Sequence, residues 1–303
     1  MLTLFTAAKP FRGHTAITQR SALRSWMTLH RDVQIILFGD AEGSQEVSWE
    51  LCIHYEPHPE LTACGSVRLD YMFAKAQQIA RYTALCYAVC DTILLPDFCD
   101  AFNRVEALYP EFVMTGRGRD VRLTGPLAFD DPEWQTRLQL LAQTEVHHRS
   151  PDRVPYLVFS KGQYLNEVPA IPAEAPLSMN WLLWKAIAEE VTVVDSSEMV
   201  LAIQQRSEVS GSFRETDDGW QSRSEPLVLD GGRKHSCSIA NAPYRLTSAD
   251  VVRNRGHRLR QWQERMQHGS AQAMQAWWEL IWQLRKTSGL PGTQGVRGNT
   301  ASW

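Results

Sequence analysis

Hydrophobic positions alternate between two rhythms over the first hundred residues. LTLFT (2–6) is a short apolar run, and Leu23, Trp26 and Met27 follow at helical spacing. VQIILF (33–38) is a continuous run of the kind a strand shows when both its faces are covered. It closes in GDAEGS (39–44), a turn-forming cluster that opens another helix. The clearest helical stripe spans 69–81, where Leu69, Met72, Phe73, Ala76, Ile79 and Ala80 share one side. ALCYAV (84–89) reads as the next strand, with Asp91 just past it and ILLPDF following. Strand, helix, strand, helix, strand predicts right-handed crossovers and a mostly parallel sheet. Ligands of such sheets bind beyond the carboxyl ends of the strands, and Asp40 and Asp91 each fall at such an end.

The second half is less regular. FVMT (112–115), YLVF (156–159) and VTVV (191–194) are strand candidates, separated by helical patterns near 134–141 and 180–190. From 206 to about 241 Gly, Ser and Asp accumulate and the apolar period fades, which predicts loops. Helical patterns return at 248–267 and 271–286, and the last stretch, SGLPGTQGVRGNTASW, has the composition of a disordered tail. The expected organisation is an α/β domain over 1–245, a helical extension over 246–287 and a tail over 288–303. No internal repeat is present.

With 303 residues the chain is long enough to bury a substantial core, and α/β units often exceed 250 residues as one domain. A formal net charge of -3 supplies no basic field, so nucleic acid is not an expected partner. No run of about 18 apolar residues occurs, so no membrane span is expected. The apolar start is too short for a secretory segment, and the six cysteines show no Cys-x-x-Cys spacing, which suits buried thiols in a reducing, cytoplasmic setting.

Several residues invite chemistry. Asp40, followed by Glu42, Gly43 and Ser44, would accept hydrogen bonds from a nucleoside; the alternative is a plain strand-to-helix turn with Ser44 as N-cap. Asp91 is placed to hold a divalent cation, Mn or Mg, which would neutralise a diphosphate leaving group, although such sites normally draw oxygens from several residues. Lys75, on the polar edge of the 69–81 helix, and Arg117, in the GRGRD turn (116–120), would pair with phosphate, or else be simply solvated. His147 and His148 are adjacent on the chain and do not converge, and His235 with Cys237 lacks a second ligand pair for zinc. The helix AQAMQAWWELIWQLRK (271–286) would pack on its own domain or make a peripheral membrane or partner contact. Serine-hydrolase, zincin, P-loop and dinucleotide motifs are absent.

Taken in order, LTLFTAAKPFRGHTAITQRSALRSW (2–26), IILFGDAEGSQEV (35–47), LCYAVCDTILLPDF (85–98) and FVMTGRGRDV (112–121) resemble successive blocks of bacterial-type GT-A glycosyltransferases. PYLVFSKGQY (155–164), MNWLLWKA (179–186) and VVDSSEMVLAIQQ (193–205) continue the resemblance, which covers roughly residues 1 to 250. It implies a GT-A-like, Rossmann-like mixed sheet flanked by helices. It implies a nucleotide-diphosphate-sugar donor whose sugar passes to an acceptor hydroxyl of unknown identity. Thr6 and Asp40 become nucleoside-side contacts, Lys75 and Arg117 donor contacts, and Asp91 the aspartate of a DxD-like metal motif.

The chain also departs from that pattern. Val89 and Cys90 replace an Asn-Ala pair before Asp91, Met179 stands where an aspartate would precede Asn180 and Trp181, and Gln204 stands where a histidine would be. Met accepts no proton, so the expected base position is empty of a base and the catalytic residue is unknown. Asp195, Glu198, Glu208, Asp217 and Asp218 are candidate replacement carboxylates. Two alternatives follow, a catalytically impaired homologue that binds a ligand or partner, and a nucleotidyltransferase.

Overall fold

The computed structural model describes residues 1–123, 125–144, 153–165, 167–175, 178–206, 235–254 and 256. The chain divides into two compact units, Met1–His257 and Arg258–Trp303. The second lies outside the described residues, and with it most of the helix expected over 248–267, all of the 271–286 helix, and the tail. His147, His148 and the polar stretch 207–234 lie outside them as well.

The apolar runs become strands. β1 (Leu2–Ala7), β2 (Gln34–Phe38), β3 (His54–Glu56), β4 (Ala84–Ala88), β6 (Phe112–Thr115), β8 (Tyr156–Tyr164), β9 (Thr192–Asp195), β11 (Tyr244–Leu246) and β12 (Val251–Arg253) form one nine-stranded sheet. Its order is β12-β11-β9-β6-β8-β4-β1-β2-β3. β8 and β12 run against all the others, because β8 pairs antiparallel with both β4 and β6, and β12 antiparallel with β11. The α/β class with a large mixed sheet flanked by helices, expected from the sequence, is the fold of this unit.

Side chains alternate across the pleat, so neighbouring residues of one strand serve two different cores. Leu4, Leu37 and Cys86 face the core closed by α1 (Gly13–Met27), α2 (Ser44–Glu50) and α4 (Pro96–Leu108). Phe5, Ile36 and Leu85 face the opposite core, closed by α3 (Leu69–Ile79) and α6 (Ser178–Ala188). The second core is knit by aromatics, with Phe73 edge-on to Phe5 at 5.1 Å and stacked on Phe159 at 5.3 Å. Such pairs contribute about 0.5–1.5 kcal/mol each beyond their buried area. One expected core residue differs: Leu23 and Trp26 are fully buried on α1, whereas Met27 is exposed.

Three short strands were not legible in the sequence. β5 (Thr92–Ile93), β7 (Gly118–Arg122) and β10 (Ala202–Arg206) form a second sheet in the order β5-β10-β7. Each continues a main-sheet strand past its carboxyl end: β4 leads to β5, β6 to β7 and β9 to β10. Helix α5 (Trp134–Thr144) covers this sheet through Trp134, Leu138 and Ala142, packed on Ile93, Val121 and Ile203. The helix expected to start at 248 is also corrected. Thr247 and Asp250 close a turn, and residues 251–253 pair back onto β11 as β12. Among the described residues no helix is long and apolar enough to cross a membrane.

The passages between the sheets are tied by one buried network. Tyr156 donates to Ser196 Oγ at 2.7 Å, Ser196 donates to the Thr115 carbonyl at 2.9 Å, and Thr115 donates to the Tyr156 carbonyl at 2.8 Å. Gly116 lies beneath it, and a Cβ there would press on the Tyr156 hydroxyl and sit 3.2 Å from Ser196 Oγ. Gly116→Ala is expected to cost about 1–3 kcal/mol by overpacking, a fall in Tm of roughly 3–10 °C for a unit of this size. Tyr156→Phe removes the obstructing hydroxyl, so thermal melts of the double variant should show a loss smaller than the sum of the two single losses. Strict additivity would show that the glycine is not held by that contact.

Candidate functional site

Because β1, β2, β3, β4, β6 and β9 all run the same way, their carboxyl ends share one edge of the main sheet. Asp40 leaves β2, Asp91 leaves β4, Arg117 leaves β6 and Ser197 follows β9. Asp40 and Asp91 are separated by the single strand β1, a lateral distance of about 10 Å at ordinary strand spacing.

The loops at this edge are pinned to one another. Gln19, buried on α1, accepts from the Lys9 N–H at 2.8 Å and donates to the Lys9 carbonyl at 2.9 Å, which fixes the chain after β1. Phe11 N–H donates to the Glu42 carbonyl at 2.7 Å, which joins that loop to the one carrying Asp40. Two glycines make the Asp40 turn. Gly39 has φ +99° and Gly43 φ +82°, in the left-handed region that side chains disfavour, and a Cβ on Gly43 would sit 2.8 Å from Phe11 Cβ. Gly43 therefore holds the cap position of α2. Ser44, the expected N-cap, is instead the first helical residue, its hydroxyl buried without a partner.

Each sequence-predicted residue has a definite place. Asp40 is exposed, and its carboxylate has no hydrogen bond or ion pair among the described residues. Thr6 is only 1% exposed inside β1; its hydroxyl donates to the Ala7 carbonyl at 3.3 Å and also contacts Cys90, whose thiol pKa burial pushes up. Thr6 thus supports the edge from beneath. Lys75 on α3 reaches Glu56 Oε1 at 3.9 Å, at the end of β3. The Arg117 N–H donates to Ser197 Oγ at 2.8 Å, and Ser197 N–H donates to Asp195 Oδ1 at 2.9 Å. The Arg117 guanidinium makes no hydrogen bond or ion pair among the described residues, and its Nε is buried.

Asp91 stands at the entry to β5, and α1 holds that entry: Trp26 Nε1 donates to the Thr92 carbonyl at 2.8 Å, and Leu94 N–H donates to Ser25 Oγ at 3.2 Å. Gln204 Nε2 points at Asp91 Oδ1 at 3.4 Å. Gln205 Nε2 donates to the Asp91 carbonyl at 3.2 Å and to the Thr18 carbonyl at 2.8 Å. Among the described residues no group of three or more His, Cys, Asp or Glu gathers to hold a metal ion. The groups about Asp91 are one carboxylate and two side-chain amides, and the Oε1 atoms of Gln204 and Gln205 are both buried without a partner.

Met179 lies in the first turn of α6 at 6% exposure, within the aromatic core, so no proton acceptor occupies that position. Its neighbour Asn180 donates to the Cys237 carbonyl at 2.9 Å and accepts the Cys237 N–H at 3.1 Å, anchoring the segment in which His235 stacks on Trp184 at 4.1 Å. Of the candidate replacement carboxylates, Glu208, Asp217 and Asp218 lie outside the described residues.

The sequence reading missed Glu174. It sits on the loop leading into α6, whose Ala173 carbonyl accepts from Tyr87 Oη at 2.9 Å at the carboxyl end of β4. Its Oε2 is buried with no partner. Burial raises its pKa above the ordinary 4.5, a shift that a hydrogen bond to its own backbone and the charge of Lys9 oppose. A lone carboxylate in the apolar stretch VPAIPAEAPL (168–177) was the available signal.

No protein-family profile matches the chain, and no curated protein matches it. Solved structures of nucleotide-diphospho-sugar transferases do resemble the fold. A candidate enzyme of that class from Desulfovibrio desulfuricans G20 is 12% identical, with 68% of this chain and 81% of that one aligned at a TM-score of 0.41. TarS 1-349 of S. aureus, solved with UDP-GlcNAc, is 9% identical over 70% of this chain and 61% of its own, at 0.43. Glucosyl-3-phosphoglycerate synthase of M. tuberculosis is 10% identical over 72% and 74%, at 0.45. These likenesses concern the fold alone.

Glu174 yields a pH prediction. With its folded pKa raised, its contribution to stability is fully present below 4.5 and is lost as pH rises through the raised value. Glu174→Gln cannot ionise and escapes that loss. The Tm of the variant relative to the parent is therefore expected to rise between about pH 4 and about pH 8, and an unchanged difference would show a solvated carboxylate.

Proposed function

We propose that this chain binds a nucleotide-diphosphate sugar at the carboxyl edge of its main sheet, in the manner of a GT-A glycosyltransferase. The observation that supports it is the convergence of Asp40, Asp91 and Arg117 on one edge, with the Asp40 carboxylate and the Arg117 guanidinium both lacking partners among the described residues. In this reading Asp40 accepts from the nucleoside and Arg117 takes the diphosphate, a group that suits a planar guanidinium fork. Lys75, held by Glu56 at the end of β3, lies on the donor side, and Thr6 braces the floor. Transfer joins the acceptor oxygen to the anomeric carbon while the bond to the diphosphate breaks, the acceptor's proton passes to the departing diphosphate or to water, and Arg117 meets the negative charge that develops on the leaving group.

A second reading has specific support. Met179 is buried where the resemblance implies a base, and Asp91 is faced by an amide. Both features favour a homologue that keeps the ligand site and has lost the transfer reaction.

Thermal melting with UDP, GDP, ADP and CDP, their sugar conjugates and the corresponding triphosphates tests the binding claim. One nucleoside diphosphate is expected to stabilise by about 2.7 kcal/mol at a hundredfold excess over Kd, a rise of roughly 5–10 °C. Silence from the whole panel would remove the reading. Release or transfer of the sugar from a bound donor, followed by chromatography, would exclude the non-catalytic version.

A further inference from the structure

The segment between β3 and α3 is folded tightly against the edge that carries Asp40. Leu61 and Val67 pair across it, Arg68 pairs with Pro172, and the Leu69 N–H donates to the Ile171 carbonyl at 2.8 Å. Val67 also leans on the Asp40 turn, since a Cβ on Gly39 would lie 3.3 Å from its Cγ2. The start of α3 and the chain around Pro172 are thereby locked together beside that turn. A hollow of about 370 Å³ lies here, with Glu60, Arg68 and Asp70 as its polar groups and Tyr71, Leu165 and Val168 as its main apolar ones. Its size is that of a small-ligand site.

The polar groups are held in one arrangement. Arg68 Nε donates to Asp70 Oδ1 at 3.1 Å, while its two terminal nitrogens bond Asp70 Oδ2 and Glu60 Oε2. Two carboxylates against one guanidinium leave a surplus negative charge. The Tyr71 hydroxyl senses it: its pKa is raised, first by burial and then by the charges of Glu56 and Glu60. A phosphate or carboxylate would meet that surplus, and an ammonium would meet the Arg68 guanidinium. A hydroxyl suits both, because it donates to a carboxylate oxygen and accepts from a guanidinium N–H. Beside these groups, Tyr71 offers a ring and a hydroxyl that makes no hydrogen bond among the described residues, and Leu165 is left 48% exposed. Hydroxyls along the rim and C–H groups on the faces are the two surfaces of a sugar ring, which matches this pairing of planar charged groups with an aromatic one.

Resting on the glycosyltransferase reading, we infer that the hollow holds one ring of a neutral saccharide, the acceptor of the transfer. Glu60, Arg68 and Asp70 take its hydroxyls, and Tyr71 and Leu165 cover a face.

The experiment is an NMR titration of the full chain with glucose, galactose and N-acetylglucosamine, with glucosamine in its ammonium form and glucose 6-phosphate as charged counterparts. At least one neutral sugar is expected to bind about threefold or more tighter than either counterpart, a screened charge effect. Tyr71→Ala should weaken that binding by about fivefold, and Tyr71→Phe should retain most of it. Leu165→Asp, at an exposed position, gives a second variant that adds charge at the hollow without opening the core, and it too should weaken binding. Melting curves confirm that each variant is folded. Absence of binding by all three neutral sugars, preference for a charged counterpart, or binding unchanged in both Tyr71→Ala and Leu165→Asp overturns the inference. A melting response to UDP without saccharide binding removes the hollow's role and leaves the donor reading standing. Saccharide binding without a response to any nucleotide removes the donor reading and, with it, the acceptor role.

Discussion

Everything polar in this unit is governed by the main sheet being covered on both faces. With α1, α2 and α4 on one side and α3 and α6 on the other, a charged side chain within β1, β2, β4 or β6 would have to enter an apolar core, at a cost of several kcal/mol. Those four strands accordingly carry no charged residue, and charge appears beyond their ends. Since the strands that carry the crossovers all run one way, those ends gather along one edge. Asp40, Asp91 and Arg117 come from positions 26 to 77 residues apart in sequence and arrive on one edge, each separated from the next by one strand.

The second sheet converts that edge from a row of loops into a framework. β4, β6 and β9 each continue into it, so Asp91 and Arg117 lie on short spans fixed at both ends. Trp26 and Ser25 of α1 hold the backbone after Asp91, while Ser197 holds the backbone of Arg117. Side chains on such spans lose little entropy on meeting a ligand, since the backbone has already been ordered in folding. The Asp40 loop is different: it is shaped by Gly39 and Gly43 and braced by Phe11, and its carboxylate is exposed.

The main strands were legible because burial on both faces leaves a plain signature, as in residues 33–38 and 112–115, where sequence and structure agree within a residue. Asp40 and Asp91 were legible as strand-end carboxylates for the same reason. The small sheet was not. β5 has two residues, and β7 and β10 carry Arg, Asp and Gln at positions whose partners are distant in the chain, so neither period nor polarity marks them. The helix start expected at 248 was wrong because Thr247 and Asp250 hydrogen-bond to each other and close a turn, a local alternative to the helix. Glu174 went unnoticed because its loop has no periodicity and its importance lies in one unpartnered oxygen.

The departures from the family pattern acquire a common sense once their surroundings are considered. Cys90 is buried against Thr6, Met179 fills the aromatic core, and Gln204 reaches for Asp91, so each replacement is accommodated by its neighbours. Met179 and Gln204 also put neutral side chains where the resemblance implies ionisable ones, and Val89 stands where it implies a polar one. Arg117 is a fixed positive group at the same edge. An arginine on a braced span carries its charge at every accessible pH, so the edge keeps one positive group whatever the protonation of its carboxylates.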